Sequence, residues 1–184
     1  AAQLLDAGGV KVGADGTRFA LEVDCPPGSP GMKAVQEYLK PALAKVGIAV
    51  SLRNAPDFPT WARRVAGLQF ESTIDSVFNW GEPVIGVHRT WLSSNIRPGV
   101  IWSNTQSYAN PRVDQLLAAA AKETDLAKRK AQYREFQKIV VDDCPVAFLL
   151  EAGWGEAWSA KVQNVPRGIW GSIDSMADLG LRKA

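Results

Sequence analysis

NTQSYANPRVDQLLAAAAKETDLAKRKAQYREFQKIVVDDCPVAFLLE, residues 104–151, decides how the chain is read. Its spacing predicts a turn, a capped helix, a longer second helix and a short apolar strand introduced by proline. Asn110 is placed to accept from backbone N–H groups at the start of the first helix, and Pro111 stands where its missing N–H costs nothing. Val113, Leu116, Leu117, Ala120 and Ala121 then share one face. A break over residues 122–124 is followed by Asp125, a second cap, after which Leu126, Tyr133, Phe136, Ile139 and Val140 keep the helical period. Lys128, Arg129, Lys130, Arg134 and Lys138 fall largely on other faces, where charge stays hydrated. Pro145 disfavours helical geometry at Cys144, so the second helix is expected to end near Asp143.

Working outward, residues 1–7 read as the tail of a helix ended by Gly8 and Gly9. Phe19, Leu21 and Val23 alternate with Ala20, Glu22 and Asp24, which predicts a strand stopped by Cys25-Pro26-Pro27-Gly28. Ser29 caps a helix with Pro30 at its first position. Met32, Val35, Leu39, Leu43 and Val46 form its apolar face, with a kink expected at Pro41 and an end at Gly47. Residues 48–52 predict a second strand, so strand, helix and strand make a right-handed βαβ unit. A short helix over 57–66, a third strand over 72–78, another short helix over 84–92 and irregular chain over 93–101 follow. Residues 152–158 read as loop or a further strand, and residues 165–184 show little periodicity. The fold class is α/β, a mixed and mostly parallel sheet flanked by helices in one domain. The strand ends at residues 25–29 and 79–83 are where open α/β sheets bind ligands, because helix N-termini and free backbone groups converge there.

A chain of 184 residues with 46% hydrophobic and 22% charged residues can bury a proper core. The net charge of +2, with no basic tract interleaved with aromatics, argues against nucleic acid or an anionic membrane as partner. No apolar run approaches the roughly 18 residues that would span a bilayer, and the opening AAQLLDAGG lacks the basic-then-apolar order of a signal peptide. His88 is the single histidine, and with no second His or Cys nearby it builds no metal site of the usual kind. No GxSxG elbow, phosphate-cradling GxxxxGK[ST] loop or GxGxxG motif occurs, so no catalytic residue, metal or cofactor is expected. The seven tryptophans suit either core packing or a cleft that orients an apolar or sugar-like ligand. Trp80 stands out at a predicted strand end. Trp91 and Trp102, flanking the polar loop 93–100, come next.

With Ser107-Tyr108-Ala109-Asn110-Pro111-Arg112-Val113-Asp114-Gln115-Leu116-Leu117, then Asp125 and Arg129, Tyr133 and Gln137, and the turn from Asp143 to Pro145, the 104–151 stretch resembles the closing part of the solute-binding proteins of peptide and nickel ABC importers, extracytoplasmic family 5. Weaker matches at Leu4-Leu5-Asp6-Ala7-Gly8, Asp15-Gly16, residues 47–50 and Glu82-Pro83 extend the resemblance over nearly the whole chain. Members of this family are longer and two-lobed. The resemblance therefore implies that residues 1–184 are a carboxy-terminal lobe of a type II periplasmic binding protein-like fold, with the signal peptide and first lobe missing. It further implies a periplasmic (extracytoplasmic) location and a small-molecule or peptide ligand held between lobes and handed to an ABC permease. In peptide-binding members an aspartate four residues before the proline pairs with the ligand's α-ammonium. Aligned on Pro83 that position is Asn79, whose amide cannot supply the full opposite charge, and Asp75 or a one-residue shift in alignment is the fallback. The expected cleft residues are Asn79 and Trp80, then Trp91, Asn104 and Tyr108, with turn and cap duty as the alternative for the last two. Cys25 and Cys144 match no zinc spacing; an oxidising compartment permits a disulfide between them, and two small buried hydrophobes are the other reading. The competing functions are an α/β hydrolase-like or transferase enzyme whose catalytic groups are not identifiable here, and a signalling receptor lobe.

Overall fold

The alternating run at residues 19–24 forms the central strand of a parallel sheet. After α1 (Ala2–Ala7), stopped at Gly8, come β1 (Phe19–Cys25), α2 (Pro30–Ala44) and β2 (Ile48–Asn54). β1 and β2 pair in parallel from Phe19↔Ile48 to Cys25↔Asn54, the βαβ arrangement that the periodicity predicts. The Ser29 hydroxyl accepts from the Met32 N–H at 3.4 Å and Pro30 opens α2, which continues through Pro41. Met32, Val35, Leu39 and Leu43 of α2, with Val46 after it, pack against buried Val23, Ile48, Val50 and Ile74. α3 (Phe58–Ala66) begins where the Asp57 carboxylate accepts from the Thr60 N–H at 2.7 Å, and buries Trp61 and Val65 beside Ala55. The structure, a computed structural model, describes residues 1–151, 153, 155–168 and 170–182. These divide into two units, the first of Ala1–Val77 with Ser93–Tyr108, the second of Phe78–Leu92 with the described residues from Ala109 onward.

Two expectations for the first unit are corrected. The third strand, expected over residues 72–78, is only β3 (Ser72–Thr73), paired with β1 at Val23↔Ser72 and Asp24↔Thr73 in the order β2-β1-β3. The Ile74 N–H still reaches the Asp24 carbonyl at 2.9 Å. Beyond that β1 runs into Pro26 and Pro27, which have no N–H to offer, so the ladder has nothing to continue on. Asp24, read as lying on the polar face, is fully buried. A central strand of a parallel sheet is covered on both faces, and its charge must therefore be paired. Arg53 of β2 donates to one Asp24 oxygen from Nε at 2.9 Å and Nη2 at 2.7 Å, and Arg64 of α3 donates to the other at 2.9 Å.

The second unit holds α4 (Pro83–Trp91), α5 (Pro111–Ala120) and α6 (Leu126–Asp143). As expected, Asn110 caps α5, its Oδ1 accepting from Arg112 and Val113 at 3.0 and 3.4 Å, and Asp125 caps α6 through Lys128 at 2.9 Å. Val113, Leu116, Leu117 and Ala120 of α5 are buried, as are Phe136 and Val140 of α6. Cys144 terminates α6 in the left-handed region, φ 47°, ahead of Pro145. The apolar strand expected after Pro145 is absent. Residues 145–150 form no strand, and Phe148 and Leu150 are exposed. A single strand gains no stability without a neighbour to complete its ladder. The tail instead contributes β4 (Val162–Gln163), antiparallel to β5 (Gly180–Leu181). The further strand considered at residues 152–158 falls partly on residues 152 and 154, outside the described residues; the described members of that run form none.

Candidate functional site

Within the first unit, register sets the site. Cys25 lies opposite Asn54 and Asp24 opposite Thr73, so the three strands finish their carboxyl ends at one edge. The next residues along each path are the Ser29 cap of α2, the Asp57 cap of α3, and Asp75. This is the side on which open α/β sheets take their ligands. Asp75 is half-buried; one of its oxygens accepts from the Ser76 N–H at 2.7 Å, and the Trp102 indole N–H donates to its carboxylate. Burial pushes the Asp75 carboxyl up to about 6, against the pull of those two donors. Burial, with the charges of Asp24 and Asp75, pushes the neighbouring Cys25 thiol up to about 11, which leaves it inert near neutral pH. Trp102 has φ 56°, a left-handed backbone that a bulky residue adopts only when its surroundings impose it. Its ring lies 6.0 Å from that of Phe58, which in turn lies 5.5 Å from buried Trp61.

In the second unit the loop before α4 carries Phe78, Asn79 and Trp80. Trp80 also has positive φ, 41°, and is stacked on Phe78 at 5.2 Å and 16°, with Trp170 at 4.5 Å. Glu82 anchors this loop. One of its carboxylate oxygens caps α4 through the Val84 N–H at 3.1 Å and also meets the Arg129 guanidinium. The Val84 N–H first, then Arg129, hold the Glu82 carboxyl below its usual range. Arg129 also donates to the Ala120 carbonyl at 3.1 Å and lies 5.7 Å over the Tyr133 ring, whose hydroxyl is 2.9 Å from His88 Nε2. Burial lowers the His88 pKa. Arg129 is thus not the hydrated surface charge that its position on the helix suggested. Glu82, Arg129 and Tyr133, all members of the family pattern quoted above, form one network joining α4, α5 and α6. Gly86 fixes the loop from beneath: a Cβ there would stand 2.2 Å from the Asn79 carbonyl oxygen.

Of the residues expected to line a cleft, Asn79 and Trp80 share this loop. Trp91, in the same unit, is buried edge-on against Phe136 at 6.0 Å and 68° and lies 6.2 Å from Phe148, which is packing. Asn104 and Tyr108 belong to the first unit and are held together. The buried Asn104 amide donates to the Tyr108 carbonyl at 2.7 Å and accepts from its N–H at 2.9 Å, the turn duty named as the alternative. Phe58 was missed from sequence, although its place after a strand and an Asp cap marks the carboxyl edge. Cys25 and Cys144 are free thiols, the first buried and the second exposed. Among the described residues no group of three or more His, Cys, Asp and Glu gathers as a metal site, and no helix is long and apolar enough to cross a membrane. The arrangement suits holding a polar molecule by charge, indole faces and backbone dipoles.

No protein-family model matches the chain. Protein XP55 of Streptomyces lividans is 32% identical over 161 residues, covering 81% of this chain and 28% of that protein. Glutathione-binding protein GsiB of Pectobacterium atrosepticum is 31% identical over 119 residues, 62% of this chain and 23% of that protein. Among solved structures, the dipeptide binding protein of Pseudoalteromonas sp. SM9913 in complex with Met-Leu superposes with TM-score 0.75 at 21% identity, covering 98% of this chain and 35% of that one. The fold is therefore that of a periplasmic binding protein. The chain is similar to the solute-binding proteins of family 5, the peptide and nickel group, and spans about a quarter of the length of the curated relatives it matches.

Two substitutions test the site's construction. The folded-state pKa of Asp75, about 6, lies above the ~3.9 of an unfolded aspartate, so the stability it contributes is complete below about pH 4 and is lost as pH rises through 6. Asp75→Asn is expected to be more stable than the parent by about 1–2 kcal/mol at pH 7.5, with the gap closing by pH 4.5, in parallel urea titrations. Gly86→Ala would ordinarily favour a helix by about 1 kcal/mol. Here the clash with the Asn79 carbonyl reverses the sign, and a net loss of about 2 kcal/mol is expected in the same measurement.

Proposed function

We propose that these 184 residues are one substrate-binding lobe of a longer, two-lobed receptor serving an ABC-type importer outside the cytoplasm. The receptor takes up a peptide or similarly sized polar solute and presents it to a membrane permease. The observation that carries this reading is the similarity, near one residue in three, to a glutathione-binding protein. The peptide-bound neighbours of the same fold support it. So does the geometry of the first unit, where the strands' carboxyl edge presents the Asp75 carboxylate and the Trp102 indole. Asn79 and Trp80 are the proposed ligand contacts on the loop before α4, Asn79 offering amide hydrogen bonds and Trp80 a stacking face. Trp91 within the second unit, and Asn104 with Tyr108 within the first, are proposed to act through packing and turn geometry. Closure follows if ligand contacts favour the closed arrangement over the open one.

Mass spectrometry of small molecules released by denaturing the freshly purified full-length protein tests the proposal. A stoichiometric peptide, glutathione-like thiol or metal chelate is the expected result. Turnover of an ester, amide or glycoside substrate, abolished by one carboxylate substitution, would replace the receptor reading with an enzymatic one.

A further inference from the structure

The tail of the second unit makes a loop that is tied at its neck and loosely filled within. β4 and β5 pair at Val162↔Leu181 and Gln163↔Gly180, the Arg182 N–H donates to the Lys161 carbonyl at 2.8 Å, and the Asn164 amide donates to the Asp178 carbonyl at 3.0 Å. Inside those ties lies an open crevice of about 660 Å³, lined in part by Asn164, Arg167, Asp174 and Asp178. Ile173, on the same loop, is 70% exposed and does not fill it. Trp170 behaves differently. Its ring centroid stands 4.5 Å from that of Trp80, which is itself stacked on Phe78 at 5.2 Å and 16°.

The two indoles of this pair are held unequally. Trp80 sits on the loop that Glu82 anchors and that Gly86 fixes from beneath. Trp170 is followed by Gly171, φ 51°, and a single 3-10 turn (Gly171–Ile173), and it keeps 36% of its exposure. A loop closed at its neck, with little apolar surface buried inside it, opens far more easily than the helices unfold. A centroid separation of 4.5 Å also leaves no room for a third ring between the two indoles. Trp170 and a flat ring stacking on that surface of Trp80 therefore exclude each other, and both would gain the same kind of stacking free energy there.

We propose that Trp170 is an internal occupant of the Trp80 ring surface, displaced with its loop, residues 164–179, by a solute that carries an aromatic ring. The occupant itself states the chemistry of the ligand: a flat apolar ring with a polar edge. This role of Trp170 deepens the receptor reading and rests on it for its purpose, adding a control on affinity. The apparent affinity for a ring-bearing solute is lowered by the fraction of molecules whose loop is closed, and a solute without a ring does not exchange with Trp170 at all.

The test is fluorine NMR of the full-length protein labelled with 5-fluorotryptophan, the Trp80 and Trp170 signals being assigned from Trp80→Phe and Trp170→Phe. N-acetyltryptophanamide is the probe, and N-acetylleucinamide, apolar but without a ring, is the control. The probe is expected to shift the Trp80 signal saturably and to move the Trp170 signal toward that of a solvent-exposed indole, while the control moves neither. Trp170→Leu is expected to bind the probe about fivefold more tightly than the parent, the stacking competitor having been removed. Trp170→Phe, which leaves a smaller ring in the loop, is expected to gain about twofold and carries the test if the leucine variant does not fold. Ile173→Ala, in the same loop, is expected to bind like the parent. Probe affinity unchanged in both Trp170 variants, or a Trp80 signal that saturates while Trp170 stays in place, overturns the proposal. The two readings fail separately. Exchange of Trp170 for the probe with no solute on the purified protein counts against the receptor alone, whereas a co-purifying solute with Trp170 variants indifferent to the probe counts against the internal occupant alone.

Discussion

A carboxylate removed from water at the centre of a parallel sheet has to meet positive charge, and at Asp24 two arginines from different elements meet it. Arg53 brings in β2 and Arg64 brings in α3, so one side chain of β1 ties together the strand beside it and the helix that follows that strand. Besides that cluster, α3 is held by the packing of Trp61 and Val65 beside Ala55 and by the Trp61 indole N–H, which donates to the Thr73 hydroxyl of β3 at 3.3 Å. Arg64 stands in the last turn of α3, so the cluster holds that end of the helix, while the Asp57 carboxylate caps its start. Phe58, at the first position of α3, and Asp75, after β3, both follow the carboxyl ends of strands in this sheet.

The loop that carries Asn79 and Trp80 is held by a comparable device. Glu82 caps α4 with its carboxylate and gives the same group to Arg129, whose other contacts reach the end of α5 and the Tyr133 ring. Several of the residues that make the family pattern recognisable are therefore builders of that loop. Gly86 belongs with them, because only a residue without Cβ lets α4 approach the Asn79 carbonyl. Positive φ at Trp80 in the second unit and at Trp102 in the first costs about 1 kcal/mol or more of backbone strain each.

What the amino-acid pattern made legible was local. Ser29, Asp57, Asn110 and Asp125 cap helices through donors two or three residues away, and such contacts depend on nothing distant. The βαβ unit was legible for the same reason, its period switching from 2 to 3.6 and back within one stretch. Asp24 and Arg129 were misjudged because their surroundings are supplied by chain 29 to 47 residues away, which periodicity does not report. A polar residue at an alternate strand position looks solvated until one knows that another strand and a helix cover it. Residues 145–150 were misjudged in the opposite sense: Val146, Phe148, Leu149 and Leu150 have strand-forming chemistry, but a strand requires a partner, and the described residues provide none there. Asp75 and Phe58 were visible as residues next to strand ends, yet their pairing with Trp102 joins segments separated by tens of residues and appears only in three dimensions.

The central claim is that Asp24 ties β1, β2 and α3 together through Arg53 and Arg64, and unfolding of Asp24→Asn in urea tests it most directly. The amide leaves two guanidiniums facing a neutral group. Because those arginine side chains keep 30% and 20% of their exposure, the loss is expected to be about 2 kcal/mol, below the 3–5 kcal/mol typical of a wholly buried pair. The variant is also expected to broaden or shift the Trp102 indole resonance, as the edge loosens. Parent-like stability with an unchanged Trp102 signal would contradict the account.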